Sequence, residues 1–228
     1  MRSANFWPPI RAPFPGIFCL WRLRTRAYFF FIRLIRIRIT YNKNVPMQKK
    51  VMPKEVVVLR YGHRHVRDYR VTSHCCLVAR AFGANKIEII GERDASIETT
   101  INNMNCRWGK GAGIEFQDDW KKRMQHYKKE GFTTVHLTMY GIPLQEAEKE
   151  LAGKEKLLVI VGSQKVEREV YLKSDYNVSV TLQPHSEIAA LAVFLDHLFG
   201  GKELSKQLPG AEIEVEPVNK GKKVRAVK

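Results

Sequence analysis

The regular alternation of strand and helix patterns from residue 55 onward constrains the fold of this chain more than any other feature. Short runs rich in β-branched and other apolar residues predict strands over 55–61, 86–90, 113–116, 133–138, 156–161 and 176–180. Apolar residues at helical spacing predict helices over 71–82, 94–108, 119–129, 143–151, 166–172 and 186–199. Since helices between strands supply the crossovers that parallel pairing needs, we predict an α/β fold with a mostly parallel sheet and helices on both faces.

The end of the chain departs from this alternation. Beyond residue 202 the sequence predicts two short strands, over 212–216 and 223–227, around the turn signal Asn219-Lys220-Gly221. We therefore predict three parts: a basic N-terminal extension over 1–50, the main domain over 51–201, and a C-terminal β-hairpin extension over 202–228.

Positive charge is concentrated at the beginning of the chain. The sequence has 39 Lys and Arg against 23 Asp and Glu, a formal net charge of +16. Eleven of the basic residues lie within 1–50, where there is no acidic residue, so residues 51–228 carry a net charge of only +5. This mildly basic body favours a nucleic acid or another phosphate-bearing partner only weakly.

Residues 1–50 allow three interpretations. An Arg-rich, acid-free leader is typical of a transit peptide, and a basic stretch beside an apolar run is typical of a signal sequence. The third interpretation is translation from a start codon placed too far upstream, with Met47 or Met52 as the true beginning. We favour the third, because no small-residue cleavage pattern follows the apolar run.

The four cysteines, Cys19, Cys75, Cys76 and Cys106, include no CxxC pair, which argues against a disulfide framework and a structural zinc site. A reducing compartment, the cytoplasm, is therefore expected. The histidines of 63–74 have no carboxylate at ligand spacing, so no metal is expected. No run approaches the roughly 20 apolar residues of a membrane-spanning helix, so no membrane association is expected.

Three predicted strand ends are candidates for ligand binding. Residues 136–141, 161–166 and 180–187 each follow an apolar strand and lead into a helix. Ligands of open α/β sheets bind beyond the carboxyl ends of strands, but each segment alone can equally be an ordinary connecting turn. The dinucleotide-binding fingerprint, the Walker A sequence and the GxSxG nucleophile elbow are absent from the sequence.

A basic cluster follows the first predicted strand. Its members are Arg60, His63, Arg64, Arg67 and Arg70. Such a cluster supplies phosphate contacts well and predicts RNA binding, although a solvated basic face is the competing interpretation.

A series of short motifs carries a family resemblance. They are Gly62-His63-Arg64, Arg70-Val71-Thr72, Ala79-Arg80-Ala81-Phe82-Gly83, His136-Leu137-Thr138-Met139-Tyr140-Gly141, Ile160-Val161-Gly162, Asp175-Tyr176-Asn177-Val178 and Gln183-Pro184-His185-Ser186-Glu187. In order and spacing they resemble the archaeal tRNA (cytidine-56) 2′-O-methyltransferases, a branch of the SPOUT methyltransferases. The resemblance covers residues 55 to 200, with a looser match beyond.

The resemblance implies a SPOUT fold with a C-terminal trefoil knot, a homodimer, and S-adenosylmethionine as methyl donor. The implied substrate is the ribose of cytidine 56 in the TΨC loop of tRNA. The implied donor-binding residues are Leu137, Gly162, Ser163, Gln164, Lys165, Val166, Val180, Thr181, Leu182, Gln183, Pro184, His185, Ser186 and Glu187. Arg80 is implied to be catalytic, by orienting the RNA and stabilising the developing alkoxide rather than as a base, because a guanidinium stays protonated.

Two segments depart from the pattern of this family. Thr181 stands where a glycine is expected, and Ser163-Gln164 replaces Ala-Glu. The first puts the geometry of the donor loop in question. Two alternative functions remain open: methylation of a different RNA nucleotide, and a catalytically silent RNA-binding dimer.

Overall fold

The computed structural model describes residues 52–151, 153–163 and 165–227. The predictions for residues 1–50 and for Gln164 lie outside the described residues. Six strands alternate with helices: β1 (Glu55–His63), α1 (His65–Ala81), β2 (Lys86–Gly91), α2 (Ala95–Trp108), β3 (Gly113–Gln117), α3 (Trp120–Lys129), β4 (Thr133–Pro143), α4 (Leu144–Leu151), β5 (Lys156–Gly162), α5 (Arg168–Lys173), β6 (Tyr176–Ser179) and α6 (Glu187–Phe199). A 3₁₀ turn (Lys202–Ser205) and the short strands β7 (Ile213–Val215) and β8 (Val224–Ala226) follow.

Strands β1 to β6 form one sheet in the order β3-β2-β1-β5-β4-β6, and every neighbouring pair is parallel. This confirms the predicted α/β class. The chain builds the sheet outward from β1 to β3 and then crosses to the other side, so β1 and β5 are neighbours at the switch of direction. Crevices beyond the carboxyl ends of such strands are where open α/β sheets bind ligands.

Alternation along the central strands fills both faces of the sheet. Val56 and Val58 of β1 belong to the apolar cluster that includes residues of α1, α2, α4 and α6. Val57 and Leu59, on the opposite face, belong to the cluster with α3 and α5. A continuous run of β-branched residues is therefore buried on both sides, as its composition predicts.

Two elements differ most from their predicted bounds. Helix α1 begins at His65 rather than at residue 71. Its first turn is exposed and has no apolar periodicity, so the sequence pattern does not reveal it. A hydrogen bond from Arg64 Nε to Asp68 Oδ2, at 2.9 Å, spans this turn. Strand β4 continues to Pro143 rather than ending at residue 138. It leaves its pairing with β6 after Leu137 and resumes at Ile142, so residues 138–141 loop out between the two paired stretches.

The predicted C-terminal hairpin is present, with β7 and β8 antiparallel. It is joined to the end of α2, where Glu212 N donates to the Arg107 carbonyl at 3.1 Å and Lys110 N to the Pro209 carbonyl at 2.8 Å. Within the described residues, no helix has the length and apolar character needed to cross a bilayer.

Candidate functional site

A first cavity, of about 300 Å³, opens at the carboxyl ends of β4 and β5 and at the start of α6. Its walls come from the three strand ends that the sequence singles out. The lining residues are His136, Leu137, Thr138, Met139, Tyr140, Val161, Gly162, Ser163, Val166, Tyr171, Pro184, His185, Glu187 and Ala190. Three segments far apart in sequence therefore line one cavity. This favours a ligand-binding role over three unrelated connecting turns.

The predicted donor-binding residues divide into three groups. Leu137, Gly162, Ser163, Val166, Pro184, His185 and Glu187 line the first cavity. Lys165 instead lines a second, neighbouring cavity. Val180, Thr181, Leu182, Gln183 and Ser186 are not among the lining residues, and Ser186 serves as the N-cap of α6, accepting from Ile188 N at 3.2 Å.

Gly162 lets two parts of the cavity wall approach each other. A Cβ at this position would collide with the Cγ2 methyl of Val166. Any larger residue would push Val166 out of the wall, so a glycine is required here for packing.

Thr181 causes no backbone strain. None of the described residues other than glycine has a positive φ. The Thr181 Oγ1 accepts a hydrogen bond from Gln183 N at 3.3 Å. The loop before α6 therefore accommodates a threonine where the family pattern has a glycine.

Arg60 lies beneath the first cavity rather than on the surface. Its side chain is 1% exposed. Nη1 donates to the Gly162 carbonyl at 2.5 Å, and Nη2 lies 3.5 Å from Glu187 Oε1. The prediction that Arg60 contacts RNA is therefore wrong; burial makes it a residue that holds the ends of β5 and α6 together.

His63 is also buried, with 1% of its surface exposed. Its Nδ1 lies 2.9 Å from Thr72 Oγ1, and burial lowers its pKa below the usual value. His63 nevertheless lines the second cavity, so an RNA contact stays a prediction for this residue. Arg64, Arg67 and Arg70 are exposed, so an RNA-facing role stays a prediction for these three.

His136 is held in one orientation within the cavity wall. Asn177 Nδ2 donates to the Tyr171 carbonyl at 2.9 Å, which turns Asn177 Oδ1 toward His136 Nδ1 at 3.0 Å. His136 Nδ1 therefore carries the proton and donates it to Asn177. Burial lowers the pKa of His136, so the ring is neutral and its Nε2 is an acceptor.

Arg80 lies in the last turn of α1 and is 9% exposed. Its guanidinium donates to Asn105 Oδ1 at 2.8 Å, to the Gly109 carbonyl at 2.6 Å and to the Met104 carbonyl at 3.2 Å. In this chain it therefore fixes the carboxyl end of α2, and it is not among the residues that line the first cavity.

Sequence reasoning missed several wall residues. His136, Met139, Tyr140 and Tyr171 were not selected individually, although the first three lie in a strand end that was. The sequence does carry a signal for the burial of Arg60: it lies in the strand that contains three consecutive valines, and a strand of this kind is covered on both faces. Within the described residues no group of three or more His, Cys, Asp or Glu is placed to hold a metal.

The architecture has counterparts among solved structures. A crystal structure of an RNA 2′-O ribose methyltransferase matches with a TM-score of 0.52 at 12% identity, covering 70% of this chain and 61% of that one. The SpoU methyltransferase AviRb from Streptomyces viridochromogenes matches with a TM-score of 0.50 at 14% identity, covering 66% and 60%. The parallel sheet with its cavity at the carboxyl edge is the SPOUT methyltransferase fold.

Sequence comparison narrows this class to one family. The family model described as tRNA ribose 2′-O-methyltransferase, aTrm56, matches residues 108–225. The tRNA (cytidine(56)-2′-O)-methyltransferase of Methanopyrus kandleri is 48% identical over 168 residues, which are 74% of this chain and 94% of that protein. The protein of the same name from Thermococcus kodakarensis is 48% identical over 177 residues, 76% and 98% of the two chains. The chain belongs to the aTrm56 family of tRNA ribose 2′-O-methyltransferases.

Proposed function

We propose that this chain catalyses the S-adenosylmethionine-dependent 2′-O-methylation of the ribose of cytidine 56 in the TΨC loop of tRNA. The observation that carries the proposal is the convergence of the three strand ends on one cavity, in a chain 48% identical to relatives named for this reaction. The reaction needs a site for the methyl donor, and the first cavity has the position and lining for one.

The residues of the first cavity fit S-adenosylmethionine. Leu137, Val166 and Pro184 would supply apolar walls for the ligand. The Glu187 carboxylate, whose Oε1 lies 3.5 Å from Arg60 Nη2, would supply an acceptor for the ammonium group of the ligand. At Gly162 the wall has no side chain, which allows the backbone to approach the ligand closely.

When bound, S-adenosylmethionine supplies a methyl carbon activated by positive sulfur, which bonds to the ribose 2′-oxygen as the carbon–sulfur bond breaks. The residues of the chain must bring the 2′-oxygen into line with that carbon. The hydroxyl proton passes to solvent; Arg80 does not accept it, because a guanidinium stays protonated. The proposal that Arg80 orients the RNA and stabilises the developing alkoxide rests on the family resemblance alone, because Arg80 lines neither cavity and its guanidinium contacts the end of α2.

The homodimer and the knot belong to the same proposal. Tyr140 is 77% exposed beside the first cavity, and Leu182 and Val193 are exposed large apolar residues on the neighbouring loop and helix. Exposed apolar groups of this kind support a second copy of the chain as partner. Light scattering of the purified chain tests the dimer, and an experimental structure of the donor complex tests the knot.

The proposed domain layout and location follow from the function. We place the methyltransferase domain at 51–201, with 1–50 and 202–228 as extensions. Cys75 and Cys76 are free, buried thiols, and burial raises their pKa to about 11 and about 12, so both stay protonated. Free thiols in a tRNA-modifying enzyme fit a reducing compartment, the cytoplasm. Cell fractionation tests this location.

Methyl transfer from labelled S-adenosylmethionine to an unmodified tRNA transcript, with the modified nucleotide mapped by mass spectrometry, tests the function. The proposal expects one 2′-O-methyl group at cytidine 56. A methyl group on another nucleotide would favour the alternative that the enzyme methylates a different position of the RNA. RNA binding with neither methyl transfer nor donor binding would favour the silent dimer.

A further inference from the structure

A second cavity, of about 700 Å³, adjoins the first at Ser163, which lines both. It lies at the carboxyl ends of β1 and β2. Ser163 is anchored there, since its N donates to the Tyr61 carbonyl at 3.0 Å. Gly62 is close enough that a Cβ would lie 2.8 Å from Ser163 Oγ. A methyl acceptor must sit beside the donor, and this cavity is beside the first.

The lining of the second cavity suits a nucleotide. Tyr61 and Trp120 supply aromatic surface, on which nucleobases pack. Arg64, with 44% of its side chain exposed, and the exposed Lys165 supply positive charge for phosphate. Glu167 is the carboxylate of this cavity, and it stands at the exposed rim.

The orientation of the Glu167 carboxylate is fixed by Tyr61. The Tyr61 hydroxyl donates to Glu167 Oε1 at 2.9 Å. Burial and the neighbouring Glu167 raise the pKa of Tyr61 to about 12, so the hydroxyl keeps its proton and remains the donor. Because Oε1 accepts from Tyr61 and Glu167 lines the cavity, Oε2 is the carboxylate oxygen that can accept a hydrogen bond from a bound group.

We propose that the second cavity binds the base of the target cytidine and that Glu167 accepts a hydrogen bond from its exocyclic amino group. This rests on the proposed function and extends it, by assigning the recognition of cytosine over uracil to one residue. Cytosine presents an amino donor at this position, whereas uracil presents a carbonyl oxygen. Two facing acceptors repel, so a carboxylate here selects cytidine.

The Glu167→Gln variant tests the proposal. Because Tyr61 donates to Oε1, the amide nitrogen of the glutamine takes the place of Oε2 and becomes a donor that matches uracil. The measurement is kcat/KM for methyl transfer to two tRNA transcripts that differ only in cytidine or uridine at position 56. We expect the cytidine-to-uridine ratio to fall by about 10-fold or more, with a gain of activity on the uridine transcript.

Glu169→Gln is the matched control. Glu169 lies two residues further along, in the first turn of α5, and accepts hydrogen bonds from Lys121 and Lys173. It is not among the residues that line the cavity, so its variant should keep the wild-type ratio. Adding Tyr61→Phe to Glu167→Gln should weaken the preference for uridine, because the amide loses its fixed orientation. A gain of activity on uridine cannot come from misfolding.

An unchanged ratio in Glu167→Gln, or equal loss on both transcripts with donor binding intact, would overturn this inference alone. If the wild-type chain methylated neither transcript, the proposed function would fail instead. The two failures are therefore distinguishable in the same experiment.

Discussion

The buried guanidinium of Arg60 donates to the carbonyl of Gly162 at 2.5 Å and so joins the end of β1 to the end of β5 beneath the first cavity. The same side chain reaches Glu187 on the far wall. Arg60, which lies beneath the proposed donor site, therefore connects the Gly162 wall of the site to the Glu187 wall.

Replacing Arg60 by Met should therefore weaken donor binding. The Gly162 carbonyl would lose its hydrogen-bond donor, which should lower the free energy of unfolding by about 1–3 kcal/mol. The cavity walls at Gly162 and Glu187 would then no longer be held together. We expect the Kd for S-adenosylmethionine, measured by calorimetry, to rise by about 10-fold, a change worth about 1.4 kcal/mol. Arg93→Met, an exposed arginine paired with Glu98, is the control. Donor affinity that stayed at the wild-type value would refute the positioning role.

Gly162→Ala should also reduce donor binding, because its Cβ collides with Val166 Cγ2. Combining it with Val166→Ala removes the colliding methyl and should restore part of the affinity. Gly113→Ala is the control, since nothing lies within 4 Å of a Cβ at that glycine. If the double variant bound no better than Gly162→Ala, the collision would not be the cause of the defect.

Arg80→Ala should abolish methyl transfer while leaving the Kd for S-adenosylmethionine unchanged. It should also lower the free energy of unfolding by about 1–3 kcal/mol, because three acceptors at the end of α2 lose their donor. Asn105→Ala breaks one of the same contacts but keeps the guanidinium. An equal loss of rate in both variants would show that Arg80 acts only through the structure of α2.

The stability of the protein should fall as the pH drops below 6.5, because burial lowers the pKa of His136 from this value. The unfolded chain then binds a proton that the folded chain does not, so the contribution of His136 is fully present above pH 6.5 and is lost toward acid. His136→Gln should reduce the slope of unfolding free energy against pH by up to about 1.4 kcal/mol per pH unit. Urea unfolding between pH 7.5 and pH 5 measures it, and identical slopes would contradict the assignment.

A chain that begins at Met47 should keep both its thermal stability and its methyl-transfer rate. Among the residues that the structure describes, those lining the two cavities come from residue 61 or beyond. Thermal unfolding and rate assays on the shortened chain check this. A large loss of either would show that the basic extension contributes to the fold or to the reaction.

The sheet could be predicted from the sequence because its strands are buried on both faces. Runs such as 55–61 and 156–161 have no polar alternation, and only a strand covered by helices on both sides tolerates that. The ends of the helices and strands are harder to predict from the sequence. The break in β4 after Leu137 depends on pairing with β6, a contact between strands that no local pattern records.

The candidate site was predictable as a set of loops but not as a set of side chains. The three strand ends meet in one cavity because parallel strands share an edge. Which residues face that cavity depends on tertiary packing: Lys165 faces the second cavity although Ser163 lines both. The prediction that Arg60 contacts RNA is wrong because a basic run suggests an exposed surface, whereas strand β1 buries this side chain.

The most direct test of the central claim is methyl transfer to two tRNA transcripts that differ in a single atom, one with cytidine and the other with 2′-deoxycytidine at position 56. We predict one labelled methyl group on the first transcript and none on the second, because 2′-deoxycytidine lacks the ribose 2′-oxygen that accepts the methyl group. Equal labelling of both transcripts would contradict it, because the methyl group would then go to another atom or another nucleotide.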